Sequence, residues 1–329
     1  MGKKKDSLEL YFHIPFCIKK CDYCDFLSGP ATRAGQEAYI YALLREMKAV
    51  SAIEKRTVDT VFIGGGTPSV PECGIMEKLL QGIGKNFQLA ADAEVTIEAN
   101  PGTLTPEKLA LYRRYGINRI SIGLQSPENQ ELRALGRIHN YQQFLESYHM
   151  AREAGFSNIN IDLMFAIPGQ SYEGWIQNLR TVAKLGPEHI SAYSLIIEEG
   201  TPFSARKLDL PDEDTEYRMY EDVAAVLGKY GYYQYEISNY AKKDRNCRHN
   251  EGYWQRKDYL GLGLGAASLV GRERFTNTSD MSEYLENSGN LEKIRTDRET
   301  LTREDEMGEF MFLGLRMTKG VSKKDFQEY

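Results

Sequence analysis

The chain has 329 residues, of which 41% are hydrophobic and 27% are charged, and its formal net charge is −6. This composition is typical of a folded globular protein and excludes collagen-like and intrinsically disordered chains. The negative charge argues against a general nucleic-acid-binding protein, which needs a cationic surface to neutralise phosphates. Because we find no apolar run that could span a membrane and no secretory leader, we expect a cytoplasmic location.

Strand-like and helical segments alternate over the first two thirds of the chain. The predicted strands cover residues 8–14, 58–63, 94–99, 119–123, 159–165 and 190–197. The predicted helices cover residues 33–53, 72–83, 106–115, 141–154 and 172–185. Thr105 and Pro106 are typical of the N-cap and first turn of the third helix, and Gly116 is typical of its end.

Six consecutive strand units joined by helical segments predict an α/β fold with a parallel sheet. A partial (β/α)6 barrel and a doubly wound sheet both fit this pattern. Parallel sheets carry their chemistry at the carboxyl ends of the strands. Distinctive residues cluster at those positions or near them: the cysteines after strand one, Gly64–Gly66, Glu98, Asn100, Gln125 and Asp162.

The pattern changes at about residue 204. A charged helix over residues 212–230 is followed by short aromatic strand-like pieces, and another helix is predicted over residues 302–315. We therefore predict two domains, with a core over residues 1–203 and a smaller appended α+β region over residues 204–329.

The chain has five cysteines, namely Cys17, Cys21, Cys24, Cys73 and Cys247. Three of them form the pattern C-x3-C-x2-C, and the odd total favours reduced thiols. The pattern fits a zinc site with His13 as a fourth ligand, or a disulfide with one thiol left over. It also fits an iron–sulfur cluster, in which three thiolates leave one iron of four open to a small molecule. Cys247 is interpreted as a buried spectator, with a thiolate ligand as the alternative, and Cys73 is interpreted as a spectator too.

The segment YFHIPFCIKKCDYC, followed by GGGTP, resembles the radical S-adenosylmethionine (SAM) superfamily. The resemblance implies a partial (β/α)6 TIM-like barrel and a [4Fe–4S] cluster held by Cys17, Cys21 and Cys24. It also implies that the open iron binds SAM, which an electron from the cluster cleaves to a 5′-deoxyadenosyl radical. On the residues alone, the three glycines could form only a tight turn, and Glu98 could be a solvated surface charge.

A longer set of motifs is similar to the oxygen-independent coproporphyrinogen III oxidase family, over roughly residues 8–320. The motifs are HIPFC, GGGTP, IEANP, SIGLQS, LGRIH, DLMFAIPGQ and HNEGYW. The family implies that the residues lining the cluster-bound nucleotide are Tyr11, Tyr23, Gly65, Glu98 and Ile196. The positions that contact a second SAM in the oxidase correspond here to Gly66, Thr67, Gln125, Arg137 and Asp162.

The family has an oxidase branch (HemN) and a heme chaperone branch (HemW), and two features favour the chaperone branch. Phe26 stands where the oxidase motif has a fourth cysteine, and only 16 residues precede Cys17. The chaperone pattern H-N-x-x-Y-W is present as His249, Asn250, Tyr253 and Trp254, with His249 as a candidate axial ligand for heme iron. On the residues alone, this pattern could be a hydrogen-bonded turn.

We therefore expect a chaperone that binds the cluster, SAM and heme and transfers heme to an acceptor protein. Other expected partners are a porphyrin ligand and an electron donor such as a flavodoxin or ferredoxin. The alternative is an oxygen-independent coproporphyrinogen III oxidase of heme biosynthesis, and whether SAM is cleaved is left open. The chain departs from the chaperone pattern at Ala267, where a histidine is frequent. It also ends at Tyr329, where we expect the C-terminal region to be cut short.

Overall fold

Six parallel strands form the centre of the sheet in the computed structural model, which describes residues 7–327. They are β1 (Ser7–Ile14), β2 (Thr57–Gly65), β3 (Leu89–Ala99), β4 (Arg119–Gln125), β5 (Ile159–Phe165) and β6 (His189–Ser194). Each strand pairs in parallel with its neighbour in sequence. All six carboxyl ends therefore meet at one edge of the sheet.

Helices follow these strands and cover the outer face of the sheet. They are α1 (Arg33–Ile53), α2 (Cys73–Asn86), α3 (Pro106–Arg114), α4 (Asn129–Ala134), α5 (Tyr141–Glu153) and α6 (Tyr172–Leu185). Thr105 caps α3 as predicted, because its side chain accepts from the Lys108 N–H at 3.3 Å. Most positions of these strands are buried, and β4 is buried at every position. Helix α4 was not predicted, and β3 begins five residues before its predicted start.

The residues beyond 203 add elements at both edges of the same sheet. The strands are β7 (Tyr233–Gln234), β8 (Asn239–Ala241), β9 (Tyr259–Leu262), β10 (Ala267–Val270), β11 (Glu273–Asn277) and β12 (Arg295–Thr300). The helices are α7 (Glu213–Gly228), α8 (Arg248–Trp254), α9 (Met281–Asn287), α10 (Leu291–Ile294), α11 (Arg303–Gly314) and α12 (Lys323–Phe326).

The sheet order is β12-β11-β10-β9-β1-β2-β3-β4-β5-β6-β8-β7, so the sheet is open. Strand β9 runs parallel to β1, and β8 runs antiparallel to β6. The α/β class with a parallel centre is confirmed. The division after residue 203 stays a prediction, and one hydrophobic core includes residues from both sides of it, from Leu8 to Ile294. Within residues 7–327, none of the helices is long and apolar enough to cross a membrane.

Candidate functional site

The three clustered cysteines lie on the loop between β1 and α1. Cys17 donates its backbone N–H to the Gly29 carbonyl at 3.0 Å, and Gly29 donates its own N–H to Pro15 at 3.0 Å, which closes the base of the loop. All three thiols are free and partly exposed. They are therefore open to a ligand that enters at the carboxyl end of β1.

Polar and small residues surround the thiols. The Thr67 hydroxyl lies 3.6 Å from Cys17 Sγ, and the Arg137 guanidinium donates toward Cys21 Sγ at 3.6 Å. Gly66 packs beside Cys17, where a Cβ would lie 3.0 Å from Sγ. A guanidinium beside sulfur ligands offsets the negative charge of a thiolate-bound cluster.

The donor set fits an iron–sulfur cluster better than a zinc site. His13 was the candidate fourth zinc ligand, but its Nε2 donates to the Leu27 carbonyl at 2.8 Å and its Nδ1 accepts from the Tyr11 hydroxyl at 3.0 Å. Within residues 7–327, no three His, Cys, Asp or Glu side chains are grouped as ligands of one metal ion. Three thiols without His13 match a cluster that leaves one iron open.

The glycine segment after β2 lies against Glu98 at the end of β3. Gly65, whose φ is +112°, donates its backbone N–H to Glu98 Oε2 at 3.1 Å. Burial, and then the nearby Asp162 carboxylate, raise the pKa of Glu98 from 4.5 to about 8. These glycines let the backbone pack closely on its neighbours, because a Cβ on Gly64 would lie 2.9 Å from Glu98 Oε2 and one on Gly65 would lie 2.8 Å from the His13 ring. A carboxyl group with a pKa of about 8 is largely protonated near neutral pH.

Asn100 joins two of the predicted site residues, although no role was predicted for it. Its Nδ2 donates to Thr67 Oγ1 at 2.7 Å, and its Oδ1 accepts from Arg137 at 2.7 Å. Arg137 also donates to the Gly123 carbonyl at 2.6 Å. The position of Asn100 directly after a strand was the sequence signal for this role.

Gln125, at the carboxyl end of β4, has a left-handed backbone with φ +71°. This conformation is uncommon outside glycine and clusters at functional sites. Its Oε1 accepts from the Tyr193 hydroxyl at 2.9 Å. Tyr193 was not predicted as a site residue. It lies on β6, on the same face of the strand as Ser191, which contacts Asp162.

Asp162 lies within β5, in contact with polar side chains of β4 and β5. Its Oδ1 accepts from Asn160 Nδ2 at 2.7 Å, and its Oδ2 accepts from the Ser121 hydroxyl at 3.1 Å. Burial raises the pKa of Asp162, while these hydrogen bonds oppose the rise. The Asp162 carboxylate in turn contributes to the raised pKa of Glu98.

The other predicted nucleotide contacts have different surroundings. Tyr11 stacks on Phe62 with ring centroids 6.3 Å apart, and Tyr23 packs against Phe203 at 6.4 Å. Ile196 follows β6 and is 67% exposed. The contact of each residue with a nucleotide stays a prediction.

The predicted heme ligand His249 is enclosed by protein. Its Nδ1 lies 2.7 Å from Thr60 Oγ1, its Nε2 lies 3.2 Å from the Tyr253 hydroxyl, and its ring stacks on Phe62. The residue is 1% exposed, and burial lowers its pKa from 6.5 to about 3. To reach a heme iron, this imidazole would have to leave at least one of its two hydrogen-bond partners, because iron binds one ring nitrogen.

The other residues of the predicted heme motif lie on the same helix, α8. Tyr253 packs edge-on against Tyr259 with ring centroids 4.7 Å apart, and the Arg316 guanidinium lies 4.3 Å from the centroid of the Trp254 ring. Asn250 is half-buried. These contacts attach α8 to the sheet and to the C-terminal region, so the motif has a structural role in this conformation.

Comparisons with known proteins agree with this geometry. Residues 11–182 match the radical SAM superfamily, and residues 301–329 match the HemN C-terminal domain. The heme chaperone HemW of Bacillus subtilis (strain 168) is 38% identical over 324 residues, which cover 97% of this chain and 86% of that protein. The heme chaperone HemW of Escherichia coli (strain K12) is 43% identical over 269 residues, which cover 81% and 71% of the two chains.

Among solved structures, coproporphyrinogen III oxidase (HemN) from Escherichia coli, a radical SAM enzyme, is similar with a TM-score of 0.88. The match is 24% identical and covers 99% of this chain and 80% of that one, so it shows a shared fold. The predicted radical SAM type of α/β fold is confirmed, and the superfamily implies a [4Fe–4S] cluster and SAM. The chain belongs to the radical SAM superfamily and, within it, to the HemW family.

Proposed function

We propose that this protein is a heme chaperone that binds a [4Fe–4S] cluster, SAM and heme, and transfers heme to an acceptor protein. The observation that carries the proposal is 38–43% identity to proteins named heme chaperone HemW over most of the chain. Phe26 adds support, because a phenylalanine cannot supply the fourth cysteine sulfur of the oxidase motif. Its side chain is 60% exposed on the cysteine loop.

Cys17, Cys21 and Cys24 would hold the cluster, which when bound would supply an open iron and an electron to SAM. The residues of the chain would position that ligand. Glu98, which accepts from the Gly65 backbone amide, can also accept hydrogen bonds from the cationic or hydroxylated groups of that ligand. Arg137, anchored by Asn100, offsets negative charge beside Cys21.

The proposed chaperone requires partners and a reducing compartment. An electron donor such as a flavodoxin or ferredoxin would reduce the cluster, and an acceptor protein would take the heme. A cytoplasmic location is proposed because free thiols persist in reducing compartments. His249 is proposed as the iron ligand only in a conformation in which its ring has left Thr60.

The second candidate function is an oxygen-independent coproporphyrinogen III oxidase. It is favoured by four polar residues that correspond to oxidase positions, namely Glu98, Gln125, Arg137 and Asp162. Such an enzyme would remove a hydrogen atom, carbon dioxide and one electron from each of two propionates of its substrate, which would leave two vinyl groups. The hydrogen atom would pass to a 5′-deoxyadenosyl radical and the electron to an external acceptor.

Parallel anaerobic experiments on the cluster-loaded protein distinguish the two functions. In one, heme is titrated and its absorbance is followed. In the other, the protein receives a reductant, SAM and coproporphyrinogen III, and products are separated by chromatography. The chaperone proposal predicts saturable heme binding and no protoporphyrinogen. Formation of protoporphyrinogen without heme binding would establish the oxidase instead.

A further inference from the structure

A continuous chain of hydrogen bonds runs from the C-terminal region to Asp162. The backbone nitrogen of Cys247 lies 3.2 Å from the Tyr235 hydroxyl, which lies 2.8 Å from His189 Nε2. His189 Nδ1 lies 2.5 Å from Asn160 Oδ1, and Asn160 Nδ2 lies 2.7 Å from Asp162 Oδ1. His189 is fully buried, with 0% exposure. This series of hydrogen bonds therefore passes through a position from which water is excluded.

Each group in this series of hydrogen bonds has one consistent assignment as donor or acceptor. A carboxylate only accepts, so Asn160 presents its NH2 group to Asp162 and its carbonyl oxygen to His189. That oxygen also accepts only, so His189 Nδ1 carries the proton. His189 Nε2 then accepts from the Tyr235 hydroxyl. Burial, followed by the charge of Arg119, keeps the pKa of His189 well below 6.5, which matches the neutral imidazole that this pattern requires.

Asn160 and Asp162 have further contacts, and Ser191 is a hydrogen-bond partner of both. Ser191 donates to Asn160 Oδ1 at 3.2 Å, which is longer than the contact from His189. Ser121 accepts from Asn160 Nδ2 at 2.8 Å and donates to Asp162 Oδ2 at 3.1 Å. The shortest contact to the Asn160 carbonyl is therefore the one from His189.

We propose that His189 is a positioning residue for the SAM site, which acts through Asn160 to fix the orientation of the Asp162 carboxyl group. This inference rests on the proposed function and on the correspondence of Asp162 to a position that contacts a second SAM in the oxidase, because it requires SAM to bind beside Asp162. A hydrogen bond that holds a ligand-binding group in place raises affinity without touching the ligand. A net contribution of about 1–1.5 kcal/mol corresponds to roughly a five- to tenfold change in affinity.

Two substitutions of His189 separate positioning from simple packing. His189→Asn keeps an N–H group near the position of Nδ1, so it can still donate to Asn160. His189→Gln instead places its amide near the position of Nε2, so it can still contact Tyr235 but loses Asn160. Both variants remove a buried ring, so a purely structural role predicts equal losses of thermal stability and of SAM affinity.

The experiment measures binding of radiolabelled SAM to the anaerobic, cluster-loaded protein by equilibrium dialysis. Asp162→Asn should weaken binding. His189→Gln should weaken it roughly five- to tenfold, His189→Asn should stay within about twofold of the wild type, and the two variants should melt at similar temperatures. Asn160→Ser, a milder second variant, should also weaken binding, and its effect should not add to that of His189→Gln.

Equal SAM affinities in His189→Gln and His189→Asn would overturn the positioning role while leaving the proposed function intact. If His189→Gln fails to fold, unaltered affinity in Asn160→Ser would also overturn it. If wild-type protein with an intact cluster binds no SAM, the proposed function fails, and the inference fails with it.

Discussion

Glu98 accepts a hydrogen bond from the Gly65 backbone amide at 3.1 Å, which links the carboxyl ends of β3 and β2. The pKa of this carboxyl group is raised from 4.5 to about 8, mainly by burial. Between about pH 5 and pH 8, the Glu98 carboxyl group of the folded state keeps a proton that the unfolded state releases. The contribution of Glu98 to the free energy of unfolding therefore falls as the pH rises from about 5 to about 8.

The substitution Glu98→Gln removes this titration. We expect the stability of the variant, relative to wild type, to increase with pH over that range, as measured by urea unfolding of the SAM-free protein. Glu286→Gln, on an exposed face of α9, is the matched control and should show no such trend. A pH-independent difference for Glu98→Gln would contradict the raised pKa of Glu98.

Gly66→Ala should impair cluster binding. The added Cβ would lie 3.0 Å from Cys17 Sγ and 2.8 Å from the Phe16 carbonyl oxygen, so the cysteine loop must shift. Iron content and absorbance of the reconstituted protein measure the effect. Gly84→Ala is the control, because a Cβ there meets no atom within 4 Å, and alanine should stabilise α2 by about 1 kcal/mol. Full iron loading of Gly66→Ala would show that the loop tolerates the methyl group.

Arg137→Met should make the cluster harder to reduce. The substitution removes a positive charge that lies 3.6 Å from Cys21 Sγ, and the reduced cluster carries one more negative charge. We expect a more negative midpoint potential in an anaerobic redox titration. Arg133→Met, on the exposed side of α4, should leave the potential unchanged. Equal potentials in all three proteins would remove the electrostatic role of Arg137.

Gly252 and Glu9 should be energetically coupled. A Cβ on Gly252 would clash with the Glu9 carboxyl group, so Gly252→Ala should cost about 1–3 kcal/mol of unfolding free energy. Glu9→Ala removes the obstructing carboxyl group, so the same glycine substitution should cost much less in that background. Urea unfolding of the four proteins measures the coupling. Equal costs in both backgrounds would mean that α8 does not pack on β1 in this way.

Heme titrations of Thr60→Val and His249→Ala test the proposed iron ligand. Thr60→Val removes the 2.7 Å hydrogen bond that holds His249 Nδ1, and it changes the volume of the side chain little. If His249 binds iron after leaving this position, Thr60→Val should raise heme affinity and His249→Ala should lower it. If both variants bind heme like the wild type, His249 is not the ligand.

The part of the fold that holds the parallel strands β1 to β6 was predictable, because each of these strands pairs with its neighbour along the chain. Strand ends therefore located Cys17, Gly65, Glu98 and Gln125 without any knowledge of the structure. The same reasoning led to Asn100, whose role depends on side-chain contacts that no sequence pattern shows.

The C-terminal region was much less predictable, since its strand pairings join distant parts of the chain. Leu10 of β1 pairs with Leu260 of β9. Thr60 and His249, which are hydrogen-bonded, are 189 residues apart in the sequence. The sequence HNEGYW has no clear period over its short helix, so the burial of His249 could not be predicted. Its resemblance to a heme-binding pattern made His249 a candidate iron ligand, and the structure encloses its ring.

The central claim is that Cys17, Cys21 and Cys24 hold a four-iron cluster with one open iron. Electron paramagnetic resonance of the anaerobic, dithionite-reduced protein tests it most directly, before and after addition of SAM. The account predicts a [4Fe–4S] signal, about four irons per chain, and a change in the spectrum when SAM is added. Absence of an iron–sulfur signal, or a spectrum that SAM leaves unchanged, would contradict it.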